Sequence, residues 1–414
     1  MNGVALPSEI KKVPLSQRMR RLGFDPWLLL ILLGLVSYGL VMVYSASWDV
    51  SWRLYQDASA LFRRQITNLG LALAVMLIAT RLPLSWLRKL ALPVIIFSIL
   101  ALIAVLLIGG AADDMPRRSF IGGSIQPSEL AKLALIIYLA VWMESKGDRL
   151  QNWSHGFWPL IMIIGIVGGL ILAQPDLSAA ITIGVVALAM FVLAGAKFSQ
   201  SLLITLGSAA VGVALVTVTT TGRIRFADYR AGLINIDEAS YHVQQSLKAF
   251  YEGGLIGQGL GASRAKFGLL PAPHTDSIFA VIGEELGLVG ALLVLILFCL
   301  FMWRGFRIAI ESPNRLGMLL ASGITFWIGA EALINMSVLL GMLPFAGNAL
   351  PFFSFGGSNL VTTLTGVGFL LGVSRKREPD KTSGGEVALV GIGRRDRRRR
   401  VSRPGRPRRA GREG

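Results

Sequence analysis

Ser277-Ile-Phe-Ala-Val-Ile-Gly-Glu-Glu-Leu-Gly-Leu-Val-Gly-Ala-Leu-Leu-Val-Leu-Ile-Leu-Phe-Cys-Leu-Phe-Met-Trp303 is 27 residues with two charged side chains, Glu284 and Glu285. A helix needs about 20 apolar residues to cross roughly 30 Å of hydrocarbon, so this run spans with residues to spare. Comparable runs recur near 26–46, 66–82, 90–110, 127–143, 157–174, 177–195, 200–219, 317–342 and 358–374. The expected fold is therefore an all-α polytopic membrane protein of about ten transmembrane helices. The totals agree: 53% of the 414 residues are hydrophobic and mean hydropathy is +0.60, far above what a water-soluble chain needs. The first run follows Lys11, Lys12, Arg18, Arg20 and Arg21, lacks a small-residue cleavage site, and reads as a retained helix.

Loop charge orients the bundle through the positive-inside bias. With a cytoplasmic N-terminus, inner loops carry Arg81, Arg88 and Lys89, then Lys146 and Arg149, then Lys197, then Arg304, Arg307 and Arg315. Both termini are then cytoplasmic. Arg53, Arg63, Arg64, Arg117 and Arg118 fall outside, against the bias, where they would meet anionic groups. Residues 1–24 form a basic N-terminus and 378–414 an Arg-rich tail, expected to be disordered. From Arg375 onward there are 15 Lys/Arg against 5 Asp/Glu, a net +10 within a total of +17. Beside a membrane such a tail suits anionic membrane lipids, and no folded reader of nucleic acid precedes it. The single cysteine, Cys299, excludes an intrachain disulfide and a thiolate metal cluster.

The connection between the seventh and eighth runs, about 220–276, is much the longest and is expected to be an extracytoplasmic loop. Val243, Leu247 and Phe250 predict a short amphipathic helix in it, over Tyr241–Tyr251. Glu252-Gly-Gly-Leu-Ile-Gly-Gln-Gly-Leu-Gly261 lacks the strand and Lys-Ser/Thr ending of a phosphate loop, which excludes nucleotide binding. No organic cofactor is expected.

Ionisable groups inside spans are costly and so point to function. Glu129 and Lys132, in Gln126-Pro-Ser-Glu-Leu-Ala-Lys132, share a helix face, either as a neutralising pair or as a polar pocket. Asp176, after Pro175, suits a helix cap. Asp276, ending Pro271-Ala-Pro-His-Thr-Asp276, is either an N-cap or a group able to accept a hydroxyl proton or hold a divalent cation (Mg or Mn). On the helix that follows, Glu284 lies nearer its face and Glu285 points toward another helix. The turn Pro351-Phe-Phe-Ser-Phe-Gly-Gly-Ser358 reads as tight packing or as a backbone NH donor site.

In this order, Met42-Val-Tyr-Ser-Ala-Ser47, Gln126–Lys132, Gln174-Pro-Asp176, His274-Thr-Asp276 with Ile278-Phe-Ala-Val-Ile-Gly-Glu-Glu-Leu-Gly287, and Leu350–Ser358 resemble the SEDS family (shape, elongation, division and sporulation). The resemblance covers about 25–377. Gln245-Ser-Leu-Lys-Ala249 and Gly257-Gln-Gly-Leu-Gly-Ala-Ser263 look like its division (FtsW-like) branch, with the elongation (RodA-like) branch as the alternative.

The resemblance implies a multi-pass protein of the bacterial cytoplasmic membrane that polymerises lipid II at its outer face. It implies catalysis by Asp276 and, as substrate-binding candidates, Arg118, Glu129, Lys132, Lys248, His274 and Glu284. It also implies a class B penicillin-binding protein as partner. The family's usual Pro-Glu-x-His-Thr-Asp-Phe is altered here at Ala272 and Ser277. A lipid II flippase and a non-catalytic division scaffold are the rival readings.

Overall fold

A computed structural model describes residues 24–108 and 126–375. Arg117, Arg118, the basic N-terminal residues 1–23 and the tail from 376 onward lie outside the described residues. Among the described residues there are twelve α-helices. Three of them, α1 (Pro26–Tyr55), α2 (Ala60–Arg81) and α3 (Leu84–Ile108), precede α4 (Pro127–Lys146). A 3-10 turn and a π turn lead into α5 (Trp158–Ala173), followed by α6 (Leu177–Leu193) and α7 (Phe198–Val218). The long connection is itself helical, with α8 (Thr220–Ile234) and α9 (Tyr241–Gly253). The last three are α10 (Ile278–Ile310), α11 (Arg315–Leu339) and α12 (Gly357–Ser374).

Among the described residues all ten expected runs are helical, the third as far as Ile108, and eight helices are long and apolar enough to cross a membrane. The two that fall short do so for different reasons. Helix α6 has only 17 residues, and α4 carries Glu129, Lys132, Glu144 and Lys146. The second span begins earlier than its hydropathy suggests, because Arg63, Arg64 and Gln65 are helical.

Local chemistry fixes the helix starts. Asp25 caps α1, accepting from Leu28 N at 2.9 Å with Pro26 in the first turn. Asp176 caps α6 in the same way, accepting from Ala179 N at 3.2 Å, and Gln126 Nε2 and Ser128 Oγ also donate to it. One end of the bundle is closed by Asp25, whose carboxylate pairs with Arg304 of α10 and whose backbone N donates to Ser374 Oγ of α12 at 3.3 Å. The described span thus starts and finishes at the same end. Helix α11 is the most enclosed, with Trp327 fully buried, while α7 is peripheral.

Helix α10 is broken where an unbroken span was expected. Gly287 has φ 65° and ψ −163°, outside any helical region. The freed backbone groups are paired by the stretch after α9. Gln258 N and Gly259 N donate to Glu284 O and Glu285 O at 3.0 and 2.9 Å. In return, Leu288 N and Val289 N donate to Gly254 O and Leu255 O at 2.9 and 3.2 Å. A Cβ on Gly257 would overlap the Glu285 carbonyl, and one on Gly287 would overlap Leu255 and Gly257. Both also hold positive φ, so glycine is required here for approach and for conformation together. The glycine-rich run is a docking strip for a broken helix, a role distinct from cradling phosphate.

Candidate active site

The site is built around three consecutive carbonyls. His274 O accepts from Phe355 N at 2.8 Å, Thr275 O from Ser354 Oγ at 2.8 Å, and Asp276 O from Asn335 Nδ2 at 2.9 Å. Below them, Ala272 O gathers Thr275 N, Thr275 Oγ1 and Ser277 N in one turn, at 3.1, 3.3 and 3.2 Å. Ala272 pays for that turn with φ +47°, a left-handed value that a Cβ disfavours. The donors come from α11 and from the Pro351–Ser358 turn, so this turn spends its NH and hydroxyl groups on the His-Thr-Asp peptide. Gln65 of α2 braces the turn in its own right, accepting from Gly356 N at 3.4 Å.

Asp276 is half-buried, and its carboxylate lies against Gly347, where a Cβ would stand 3.4 Å from Oδ2. Its backbone carbonyl is held, and the residue as a whole is partly exposed. His274 is half-buried, tilted on Phe355 with ring centroids 5.7 Å apart, and its Nδ1 has no hydrogen-bond partner among the described residues. Burial lowers its pKa below the usual imidazole value. Ser277 is fully buried, and its hydroxyl has no partner among the described residues.

Glu129 and Lys132 sit deeper, and a third residue joins them. Lys132 Nζ donates to Glu129 at 2.9 Å and also to Glu331 of α11, while Asn359 Nδ2 donates to the other Glu129 oxygen at 3.1 Å. All three ionisable groups are buried. The cavity against Lys132 holds about 10 Å³, room for roughly one water. The pair expected to bind substrate is thus engaged within the protein, each to the other and to Glu331 and Asn359. The cluster instead reaches the site by relay. Glu331 O accepts from Asn348 Nδ2 at 3.1 Å, and Asn348 O accepts from the same Asn335 amide that holds Asp276. Glu331 escaped the sequence reading, although an acidic residue inside an apolar run was the signal for it.

Glu284, the other acidic substrate-binding candidate, is likewise engaged within the protein. It is fully buried and accepts from Ser263 Oγ, from Arg264 N at 2.7 Å and from Ala265 N at 3.3 Å. Its oxygens are spent on the strip that docks at the break. Glu285 does bond another helix, accepting from Ser45 Oγ of α1 at 2.7 Å, and it also pairs with Lys266 at 2.8 Å. Lys248 is exposed on α9, roughly opposite its buried Ser246, and nothing directs it to Asp276. The predicted face of α9 is present, with Val243, Ser246 and Ala249 buried and Leu247 and Phe250 partly so.

Two arginines flagged by their loop charge line a groove. Tyr55, Ala60, Arg63, Arg64, Thr67 and Asn68 surround about 430 Å³ at the start of α2, the helix that carries Gln65. Arg63 pairs with Asp57, and Arg64 donates to Tyr55 Oη at 3.0 Å. Among the described residues no three His, Cys, Asp or Glu side chains are grouped to hold a metal.

The surroundings match known proteins over nearly the whole span. A probable peptidoglycan glycosyltransferase FtsW of Geobacter metallireducens is 37% identical over 356 residues, 85% of this chain and 95% of that protein. Stage V sporulation protein E of Bacillus subtilis is 36% identical over 354 residues, 85% of this chain and 97% of that one. Among solved structures, Thermus thermophilus rod shape determining protein RodA matches with TM-score 0.64 and 28% identity, covering 87% of this chain and all of that one. A chain of a peptidoglycan synthase complex that coordinates polymerization and crosslinking matches with TM-score 0.70 and 29% identity, over 86% and 99%. The FtsW, RodA and SpoVE family model, described as cell cycle protein, matches residues 26–379, and the chain belongs to that family.

Proposed function

We propose that this chain is a peptidoglycan glycosyltransferase of the bacterial cytoplasmic membrane that polymerises lipid II during cell division. The relatives' activity supports the class, and the division branch follows from the FtsW relatives. The observation that supports the mechanism is the clamped His274-Thr275-Asp276 peptide, with three carbonyls held and Asp276 partly exposed.

The acceptor's C4 hydroxyl attacks C1 of the donor N-acetylmuramic acid, the C1–oxygen bond to the polyprenyl diphosphate breaks, and the hydroxyl proton passes to Asp276. A fixed carboxylate within reach of that hydroxyl acts as general base. The departing diphosphate gathers negative charge, and the groove bearing Arg63 and Arg64, together with Arg118, supplies positive charge to it. A magnesium or manganese ion carried by the diphosphate would add to that charge, and no step here depends on one. His274, neutral near pH 7, packs beside the base without repelling a cationic or anionic substrate.

The positive-inside bias supports placing Asp276 on the outer face, where lipid-linked disaccharide is displayed. A class B penicillin-binding protein is the proposed partner, in line with the synthase complex that this chain resembles.

Purified protein in vesicles with lipid II should form glycan polymer, and Asp276→Asn should reduce it by at least about a hundredfold while folding normally. Wild-type polymer from that variant would overturn the assignment. Lipid II crossing the bilayer without polymer would favour the flippase reading.

A further inference from the structure

Two rulers locate the bilayer on the molecule. The Asp25–Arg304 pair marks one boundary, with Trp27 and Trp303 exposed beside it, as interfacial tryptophans are. Ser45 lies 20 residues along α1 from Asp25, about 30 Å at helical rise. That equals the thickness of the hydrocarbon core. Ser45 bonds Glu285, so Glu285 sits at the opposite boundary. The second ruler agrees: Leu288 is 16 residues from Arg304 along α10, about 24 Å, just inside that boundary. Trp48 and Trp52 are exposed one and two turns beyond Ser45 and form the second aromatic belt.

The strip that docks at the break in α10 lies at this same level, because Gly254 O and Leu255 O accept from Leu288 N and Val289 N. Its side chains face outward. Leu255 is 69% exposed, Ile256 82% and Leu260 60%. They continue the apolar surface that α10 presents at Leu288, Val289 and Leu292, all of which are exposed. A patch of this kind in water would be costly, and a patch level with the outer hydrocarbon edge has an obvious solvent.

We propose that the segment Gly254–Leu260 is a membrane anchor: Leu255, Ile256 and Leu260 insert among the lipid chains of the leaflet nearest Asp276. The occupant is lipid, for two reasons. The patch is continuous with the lipid-facing surface of α10, and the two rulers put it at the boundary. Through the strip's bonds to the Glu284 and Glu285 carbonyls, insertion would hold the break in α10, the helix that follows Asp276, at a fixed depth, beside the plane in which a lipid-linked substrate diffuses.

The test uses the full chain with Cys299→Ala in vesicles of phosphatidylethanolamine and phosphatidylglycerol. Single cysteines at Ile256, at Leu292 of α10 and at exposed Asp237 carry an environment-sensitive fluorophore. Ile256→Cys should emit at short wavelength, be quenched by nitroxide-labelled lipid nearly as well as Leu292→Cys, and resist aqueous iodide. Asp237→Cys should do the reverse. Iodide quenching at Ile256 equal to that at Asp237 overturns the proposal. If that water exposure disappears on adding a partner protein, the patch is a protein interface and the proposal also fails. Leu255→Ser with Ile256→Ser alters only exposed side chains, and should raise iodide access at a fluorophore on Leu260→Cys without changing the melting temperature. Unchanged access there is a second contrary result.

Discussion

Asn335 does more for the site than its size suggests, because one amide group holds the carbonyls of both Asp276 and Asn348. Asn335→Ala should leave two acceptors unpaired, costing about 1–3 kcal/mol of stability. The larger effect should be on turnover, a fall of about tenfold or more with little change in KM, since a displaced base loses rate before it loses binding. Lipid II polymerisation against substrate concentration separates the two. The buried cluster makes an asymmetric prediction. Lys132→Met leaves Glu129 and Glu331 facing each other without a cation, and should destabilise the fold by about 3–5 kcal/mol. Glu331→Gln keeps the Glu129–Lys132 pair and should cost clearly less in detergent melts. His274 adds a pH dependence. Burial holds its pKa below the ordinary 6.5, so the folded protein binds fewer protons than the unfolded chain between those two values. Its contribution is full above pH 6.5 and is lost as pH falls through that value toward the lower folded one. Melting temperature should therefore drop on acidification, and His274→Gln should flatten part of the slope. His242 shifts the same way, first by burial and then by Arg225, and contributes a parallel slope.

The helices were legible because hydropathy reports each span without reference to its neighbours. What the span touches is not written in it. Glu129 and Lys132 are three residues apart and visible as a pair, whereas Glu331 joins them from a helix 199 residues away from Lys132. Likewise, helical periodicity pointed Glu285 toward another helix, and it does bond Ser45 of α1. The periodicity assumed an unbroken helix, so it had no place for a strip of backbone entering at Gly287 and taking up Glu284. The glycine-rich run had one visible property, its freedom from side chains, and its use depends on a partner some thirty residues on. That use is testable at the scale of the element. Gly257→Ala puts a methyl into the Glu285 carbonyl at a position with φ +88°. The strip should lift, at a cost of about 1–3 kcal/mol. Limited proteolysis should then cut between α9 and α10 much faster than in the wild type, while an alanine at the nearby Gly259, which has open space, should cause less cutting.

At the scale of the whole molecule, two polar pairs bracket the bundle, and their separation is a physical constant of the fold. Asp25 and Arg304 tie α1 to α10 at one level, and Ser45 and Glu285 tie the same two helices at another about 30 Å away. Neither pair can enter hydrocarbon without loss, so the bilayer must fit between them. In a thinner membrane the Ser45–Glu285–Lys266 group would be left above the lipid edge together with the exposed leucines and isoleucine of the strip. In a thicker one, the same charged group would be drawn into hydrocarbon. Mismatch costs a fraction of a kcal/mol per Å, but here the strain falls on the strip that docks at the break in α10, the helix that follows Asp276. Activity should therefore respond more sharply than stability. In phosphatidylcholines of graded acyl length, polymerisation should peak where the hydrocarbon is about 30 Å thick and fall on both sides. Melting temperature should vary only gently over the series. Equal activity at every thickness would mean that the strip's depth has no bearing on the site. Asp25→Asn would remove one bracket without touching the other, and should broaden the activity optimum toward thicker membranes.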